Sequence, residues 1–175
     1  LTETLGLKDI RYMGSLVDYD GDGNTDEGIH DEIEGLKEIL YSAIQGYAEG
    51  IGAPIIYDAH SYPYFFGDAN GNGAVDEGEG SYQSFTARLL KAVYNYQVSV
   101  KDAGAYAHNP KYLIQLLFDS IEDLDADLVV SLHRDDAGHF AGSEEAFRHW
   151  DEEGRVSSSC SKCHSADGLP FLVAE

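Results

Sequence analysis

The chain has 175 residues, a hydrophobic content of 43% and a formal net charge of −21, with 32 acidic residues against 11 basic ones. This excess of carboxylates excludes a protein that binds nucleic acid or docks on anionic lipid, because both partners require clustered Lys and Arg. The apolar stretches are too short to span a bilayer. No signal peptide is evident at Leu1, so we expect either a mature product or a piece of a longer protein.

Apolar periodicity predicts a mainly α fold with long irregular loops. The predicted helices cover residues 6–16, 31–48, 83–100, 109–124 and 143–154. Residues 51–67 contain Pro and Gly and are predicted to be irregular or to form a short strand, and residues 125–142 are predicted to be loop. Asn109 is the predicted N-cap of its helix, with Pro110 in the first turn.

Residues 18–29 form the first of two Gly/Asp-rich loops, and we call them the first loop. Oxygen-bearing residues recur at alternate positions, as they do where a loop winds around a hard cation that takes about six to eight oxygens. The predicted calcium ligands are Asp18, Asp20, Asp22, the Asn24 carbonyl and Asp26. The last position is Ile29, which cannot bind a metal, so Asp31 or Glu32 on the following helix is expected to supply the missing carboxylate.

Residues 68–79, the second loop, follow the EF-hand pattern more closely. The predicted calcium ligands are Asp68, Asn70, Asn72, the Ala74 carbonyl, Asp76 and a bidentate Glu79. Gly73 is expected to make the sharp turn and Val75 to act as the apolar anchor. The alternative for either loop is a solvated Asp/Gly turn, but two structural Ca²⁺ sites are the favoured interpretation.

The segment Cys160-Ser161-Lys162-Cys163-His164 contains both cysteines and matches the C-x-x-C-H attachment sequence of c-type haem. The two thiols would bond to the porphyrin vinyl groups, and His164 would be the proximal ligand of the iron. Two other interpretations of the pair are a redox dithiol and half of a zinc site. A redox dithiol is expected to open a helix after a strand, which the sequence does not predict here, and a zinc site needs two further ligands. One covalently bound haem c is therefore the predicted cofactor.

The sixth iron ligand is predicted to be His139 or His149, since both precede Cys160 and either can fold back over the haem. The weaker candidates are Met13, His30, His60, His108 and His133. His108 could instead serve as a ligand in a neighbouring chain.

The last third of the chain resembles extracellular multihaem c-type cytochromes of prokaryotes. The resemblance is carried by residues 111–124, Gly138-His139-Phe140, residues 145–150 and the motif at Cys160. Some relatives of such proteins assemble into conductive filaments. The resemblance implies bis-histidine, low-spin haems that stack for electron hopping. This chain departs from that pattern in its single haem motif, so it is expected to be a module of a longer polyhaem protein or a subunit that polymerises.

These features predict electron transfer outside the cytoplasm, by a small helical c-type cytochrome domain that haem and calcium organise, and not an enzyme. Residues 1–105 would carry the calcium loops and residues 106–175 the haem, in one compact unit. The expected partners are redox proteins or extracellular acceptors, together with copies of the chain. The extracellular space or cell surface is favoured over the periplasm. The alternatives are a five-coordinate haem enzyme or gas sensor, and a calcium-dependent structural or adhesion module.

Overall fold

The computed structural model describes residues 6–9 and 17–134. Four α-helices lie in this part: α1 (Ile29–Gly50), α2 (Ala87–Lys101), α3 (Ala105–His108) and α4 (Pro110–Leu124). Two short strands, β1 (Ile55–Tyr57) and β2 (Phe65–Gly67), form an antiparallel sheet, and 3-10 helices cover Leu7–Asp9 and Leu128–Ser131. The predicted mainly helical class is thus confirmed for the described residues. None of the helices described is long and apolar enough to cross a membrane.

Helix α1 forms because its apolar residues recur every three or four positions and bury one face. Its core residues include Ile33, Leu36, Leu40 and Ile44, all at most 2% exposed. Acidic residues in the first turn stabilise the helix, because their negative charges lie at the positive end of the helix dipole. The helix starts two residues before the predicted 31–48 range and ends two residues after it.

Helices α1, α2 and α4 contact one another pairwise and enclose the core. Helix α2 begins at Ala87, later than the predicted start at residue 83, because the Thr86 side chain caps it by accepting the Leu89 N–H at 3.1 Å. Helix α4 begins at Pro110 as predicted. Asn109 occupies its N-cap position, but the Asn109 side chain makes no capping hydrogen bond there. The expected side-chain cap is therefore wrong, and the start depends on the fixed φ of proline.

The sheet fixes the start of the second loop. Ile55 pairs with Gly67 and Tyr57 with Phe65. At the loop itself, the Asp68 N–H donates to the Pro54 carbonyl at 3.0 Å. Residues 51–67, predicted as irregular or one short strand, thus form a hairpin.

The chain returns to the first loop after α4. Residues 125–142 were expected to be loop, yet the 3-10 helix Leu128–Ser131 lies within them. Leu132 follows it and is only 6% exposed, within the core. The predicted helix over residues 143–154 lies outside the described residues, and so does most of the predicted helix over residues 6–16.

Candidate functional site

The first loop brings three of its predicted calcium ligands together. The side-chain oxygens of Asp18, Asp20 and Asp22 lie within 4.8 Å of one another. The Asp18 carboxylate accepts the N–H groups of Gly21 and Gly23 at 2.7 and 2.8 Å. Both glycines have positive φ, +77° and +89°, which lets the backbone wrap around this carboxylate. The loop is therefore folded as a cradle of oxygen atoms.

The remaining predicted side-chain ligand of the first loop is not drawn into this group. Asp26 is exposed and is absent from the acidic clusters found among residues 17–134. Its N–H is held by the Asn24 side-chain oxygen at 3.1 Å. Asn24 also donates through its side-chain amide to Glu27 at 3.1 Å, which ties the middle of the loop to its end.

Of Asp31 and Glu32, only one contacts the first loop. Glu32 is fully buried, and its carboxylate accepts the N–H groups of Tyr19 at 2.8 Å and Asp20 at 3.4 Å. Asp31 is exposed and is bonded to the ring of His30 at 2.9 Å. Glu32, not Asp31, is thus the helical carboxylate that meets the first loop.

A further carboxylate was missed at the sequence level. The oxygens of Asp20, Glu27 and Glu32 lie within 4.8 Å of one another. Glu27 occupies a loop position whose side chain the EF-hand pattern does not use, so the pattern could not find it. Asking which nearby acid could replace the unusable Ile29 would have brought it into consideration.

Burial, and after it mutual repulsion, raises the pKa values of two carboxylates in the first loop. Burial is the largest cause that raises the pKa of Asp20, from an ordinary 3.8 to about 6, and neighbouring carboxylates add to it. The pKa of Glu27 rises from 4.5 to about 7, again mainly through burial and then through repulsion from Asp20 and Asp22. A bound cation would relieve this repulsion. Because all the donors are oxygen atoms, the group suits a hard ion such as Ca²⁺.

Gly35 on α1 makes room for this cluster. A Cβ atom at position 35 would collide with the Asp20 side-chain oxygen. The loop can therefore seat its carboxylate directly against the helix backbone only because residue 35 has no side chain.

The second loop is held by its first and last predicted ligands. The Asp68 carboxylate, 6% exposed, accepts the N–H groups of Asn72 and Gly73, each at 3.0 Å. The Glu79 carboxylate accepts the N–H groups of Ala69 at 2.8 Å and Asp76 at 3.0 Å. Both ends of the loop thus carry an acceptor that organises its backbone.

The middle of the second loop is more exposed and less charged. Asn70 and Asn72 both donate through their side-chain amides to the Asp76 carboxylate, at 2.8 and 2.7 Å. Gly73 has a φ of +74°, as expected for the sharp turn. Val75, expected to anchor the loop, is 37% exposed, so that expectation is wrong. The loop is fastened by Asp68 and the hairpin instead.

The predicted haem residues Cys160, Cys163, His164, His139 and His149 lie outside the described residues, as does Met13. The weaker histidine candidates are described. His30 packs edge-on against the Tyr106 ring, with centroids 5.3 Å apart, and His108 contacts Asp102 at 3.0 Å. His60 and His133 are exposed.

The chain is similar to polyhaem cytochromes of Geobacter sulfurreducens. It is 34% identical over 113 residues to the C-type polyheme cytochrome OmcC of strain PCA. This alignment covers 56% of the present chain and 14% of OmcC. It is 35% identical over 97 residues to the C-type polyheme cytochrome OmcB of strains DL-1 and PCA, which covers 49% of this chain and 12% of that protein. The chain thus spans only a small part of these relatives.

Each match is longer than the segment from Asn109 to the end of the chain, so the similarity includes residues that precede Asn109. No protein-family model matches the chain, and no solved structure matches it. Over about half its length, the chain is similar to c-type cytochromes, and this similarity supports haem c as its cofactor.

Proposed function

We propose that this chain transfers electrons outside the cytoplasm through one haem c attached at Cys160 and Cys163. The observation that carries the proposal is a C-x-x-C-H motif in a chain 34% identical over 113 residues to a C-type polyheme cytochrome. The motif supplies the attachment chemistry, and the relative supplies the expectation that such haems carry electrons.

His164 and a second histidine, His139 or His149, would hold the iron in this proposal. When bound, the haem supplies an iron that cycles between the ferric and ferrous states. Two imidazole ligands favour a lower potential than a His/Met pair. The net charge of −21 favours the more positive ferric form, so a midpoint potential below that of the standard hydrogen electrode is expected.

The first loop would bind one structural Ca²⁺ within the same proposal. Its carboxylates converge, and a cation between them would offset the burial and mutual repulsion that raise the pKa of Asp20. The proposed ligands are Asp18, Asp20, Asp22, the Asn24 carbonyl, Asp26 and Glu32. Support is strongest for Asp18, Asp20, Asp22 and Glu32, which lie in the acidic clusters.

The second loop would bind the other Ca²⁺ through Asp68, Asn70, Asn72, the Ala74 carbonyl, Asp76 and Glu79. With fewer carboxylates and more exposure, it is expected to bind calcium more weakly than the first. Both ions would stiffen loops that lie at the edge of the helical core. A rigid protein limits the reorganisation energy that accompanies electron transfer.

Assembly follows from the single motif. One haem cannot form a conducting row within one subunit, so the chain would act as a module of a longer polyhaem protein or associate with copies of itself, as in a filament. Redox proteins or extracellular acceptors would exchange electrons with it. The extracellular space or the cell surface fits both haem attachment and calcium-filled loops.

The first test is the intact mass and optical spectrum of the protein produced in a host that attaches haem c. One added haem and a low-spin spectrum unaffected by carbon monoxide are expected, and Cys160→Ala with Cys163→Ala should abolish the added mass. A high-spin ferric spectrum with ready carbon monoxide binding would favour the five-coordinate enzyme or gas sensor. A mass without haem would leave the calcium-dependent structural module.

A further inference from the structure

Negative charge is distributed unevenly along the chain. Residues 80–101 contain no Asp or Glu, although 32 of the 175 residues in the chain are acidic. Helix α2 lies within this stretch and carries Arg88, Lys91 and Lys101. A strongly acidic protein thus contains one helix whose own formal charge is positive.

The outward side of α2 also exposes apolar side chains. Leu90 is 52% exposed and Tyr94 is 67% exposed, and four residues separate them, so they lie on one side of the helix. Lys101 continues this stripe seven residues after Tyr94, and Lys91 borders it. We call these four residues the α2 outer face. In protein contacts an exposed aromatic side chain supplies buried area, and charges at its edge select the partner.

The positive charges of the α2 outer face are only partly balanced within the chain. Arg88 Nε and Lys91 Nζ lie 3.4 and 3.2 Å from the oxygens of one carboxylate, that of Asp123. The Lys91 side chain is still 70% exposed. Lys101 Nζ lies 4.4 Å from the centre of the Tyr64 ring, which carries no formal charge. The α2 outer face therefore keeps positive charge that a partner can meet.

The outward side of α1 has the opposite charge. Glu38, Ser42 and Glu49 are exposed and lie four and seven residues apart, so they form one stripe on the side away from the core. We call these three residues the α1 outer face. Its centre is open, because Ser42 has a small side chain and a Cβ atom at the nearby Gly46 would meet nothing within 4 Å.

The two outer faces match in spacing as well as in charge. Lys91 and Lys101 are ten residues apart, about 15 Å along the helix axis, and Glu38 and Glu49 are eleven apart, about 16 Å. The aromatic side chain of one face and the small side chain of the other each lie between the charged pair. Both lysines can therefore meet a carboxylate while the aromatic ring packs between them. Two α2 outer faces would repel each other, which disfavours pairing of like faces.

Helices α1 and α2 of one copy meet on other sides, where the Tyr41 and Tyr96 rings stack with their centroids 5.4 Å apart. We propose that the α2 outer face of one copy binds the α1 outer face of a second copy. This inference rests on the self-association within the proposed function, and it names the surfaces that make the contact. It requires no contribution from the haem.

The test is sedimentation velocity of the full chain with haem attached, in saturating calcium, over a series of protein concentrations. At about 0.1 M salt the repulsion between two acidic molecules is screened beyond about 10 Å, and the wild type should associate. Lys91→Glu with Lys101→Glu should raise the Kd of self-association by about tenfold or more, because like charges then face each other. Glu38→Lys with Glu49→Lys should do the same. Tyr94→Ala should raise the Kd about tenfold without any change of charge.

Two controls separate the contact from the effect of net charge. Glu122→Lys with Asp127→Lys changes the net charge as much as the α1 variant, at exposed positions outside both faces, and should not weaken association. An equimolar mixture of the two charge-reversed variants should associate again, because each variant presents a face that complements one on the other.

The outcomes distinguish this inference from the function beneath it. A chain that carries haem and stays monomeric at every concentration overturns the inference and leaves electron transfer through the haem standing. Association that persists in both charge-reversed variants also overturns it, since the copies then meet elsewhere. If the mass shows no haem but the chain associates and the mixture restores association, the inference stands and the proposed electron transfer fails.

Discussion

The two Gly/Asp-rich loops share a sequence pattern but are built into the molecule differently. The first loop draws Glu32 from the next helix, and this buried carboxylate accepts N–H groups from the loop. The second loop uses its own Glu79, which is partly exposed. The same oxygen pattern is thus attached in two ways, and burial of the last carboxylate ties the first loop more closely to the core.

Charge separates the loops as well. Asp20 and Glu27 have raised pKa values in the first loop, because burial disfavours their charged forms and neighbouring carboxylates repel them. In the second loop, two asparagines take positions that aspartates hold in the first, and their amides donate hydrogen bonds to the Asp76 carboxylate. The first loop therefore has more to gain from a cation.

The first comparison removes the last carboxylate of each loop. In saturating calcium, Glu32→Ala should lower the free energy of unfolding by about 3 kcal/mol, because the buried Tyr19 and Asp20 N–H groups lose their acceptor. Glu79→Ala should cost about 1 kcal/mol, because water can reach the N–H groups it leaves. Urea unfolding measures both, and equal losses would remove the distinction between the loops.

Gly35 provides the next test, through a change that normally helps a helix. Gly46→Ala in the same helix meets nothing within 4 Å and should stabilise the protein by about 0.5–1 kcal/mol. Gly35→Ala should destabilise it by about 2 kcal/mol, because the new methyl group displaces the Asp20 carboxylate. Thermal melts of the two variants should therefore shift in opposite directions. Two upward shifts would mean that the first loop does not sit against α1.

The pH dependence of the calcium-free protein is a smaller effect. The pKa of Asp20 rises from 3.8 to about 6 and that of Glu27 from 4.5 to about 7. The folded state therefore binds more protons than the unfolded state between about pH 4 and 7, so these groups make the folded protein more stable as the pH falls through this window.

After calcium is removed on a chelating resin, these two groups should raise the melting temperature as the pH is lowered from about 7.5 to about 5. Glu27→Gln should flatten the rise, and saturating calcium should abolish it. A melting temperature that falls throughout this range, unchanged by Glu27→Gln, would contradict the crowding inferred for the first loop.

Much of this difference was accessible from the sequence, and the choice between Asp31 and Glu32 shows how. Apolar spacing placed α1, and Glu32 lies four residues before Leu36, on the face that the helix buries. Asp31 falls off that face. Distance along the chain from the loop leaves both residues open, because it does not show which helical face meets the loop.

Other features depended on tertiary contacts. The start of α2 depended on whether Thr86 could turn its side chain onto the Leu89 N–H, which spacing alone does not reveal. Glu27 joined the acidic cluster only through folding of the first loop onto α1. The EF-hand pattern predicted that Val75 is buried, because paired loops cover each other in that fold. Here each loop is attached to a different part of the helical body, and Val75 is left exposed.

The smallest expected loss is at the apolar residue of the second loop. Val75 is 37% exposed in the second loop, so Val75→Ala should change the free energy of unfolding by no more than about 0.5 kcal/mol. Ile29, at the end of the first loop, is 1% exposed, and Ile29→Ala should cost about 3 kcal/mol through the cavity it leaves. Urea unfolding in saturating calcium compares the two. A large loss at Val75 would show that the second loop is covered by another surface and is as firmly seated as the first.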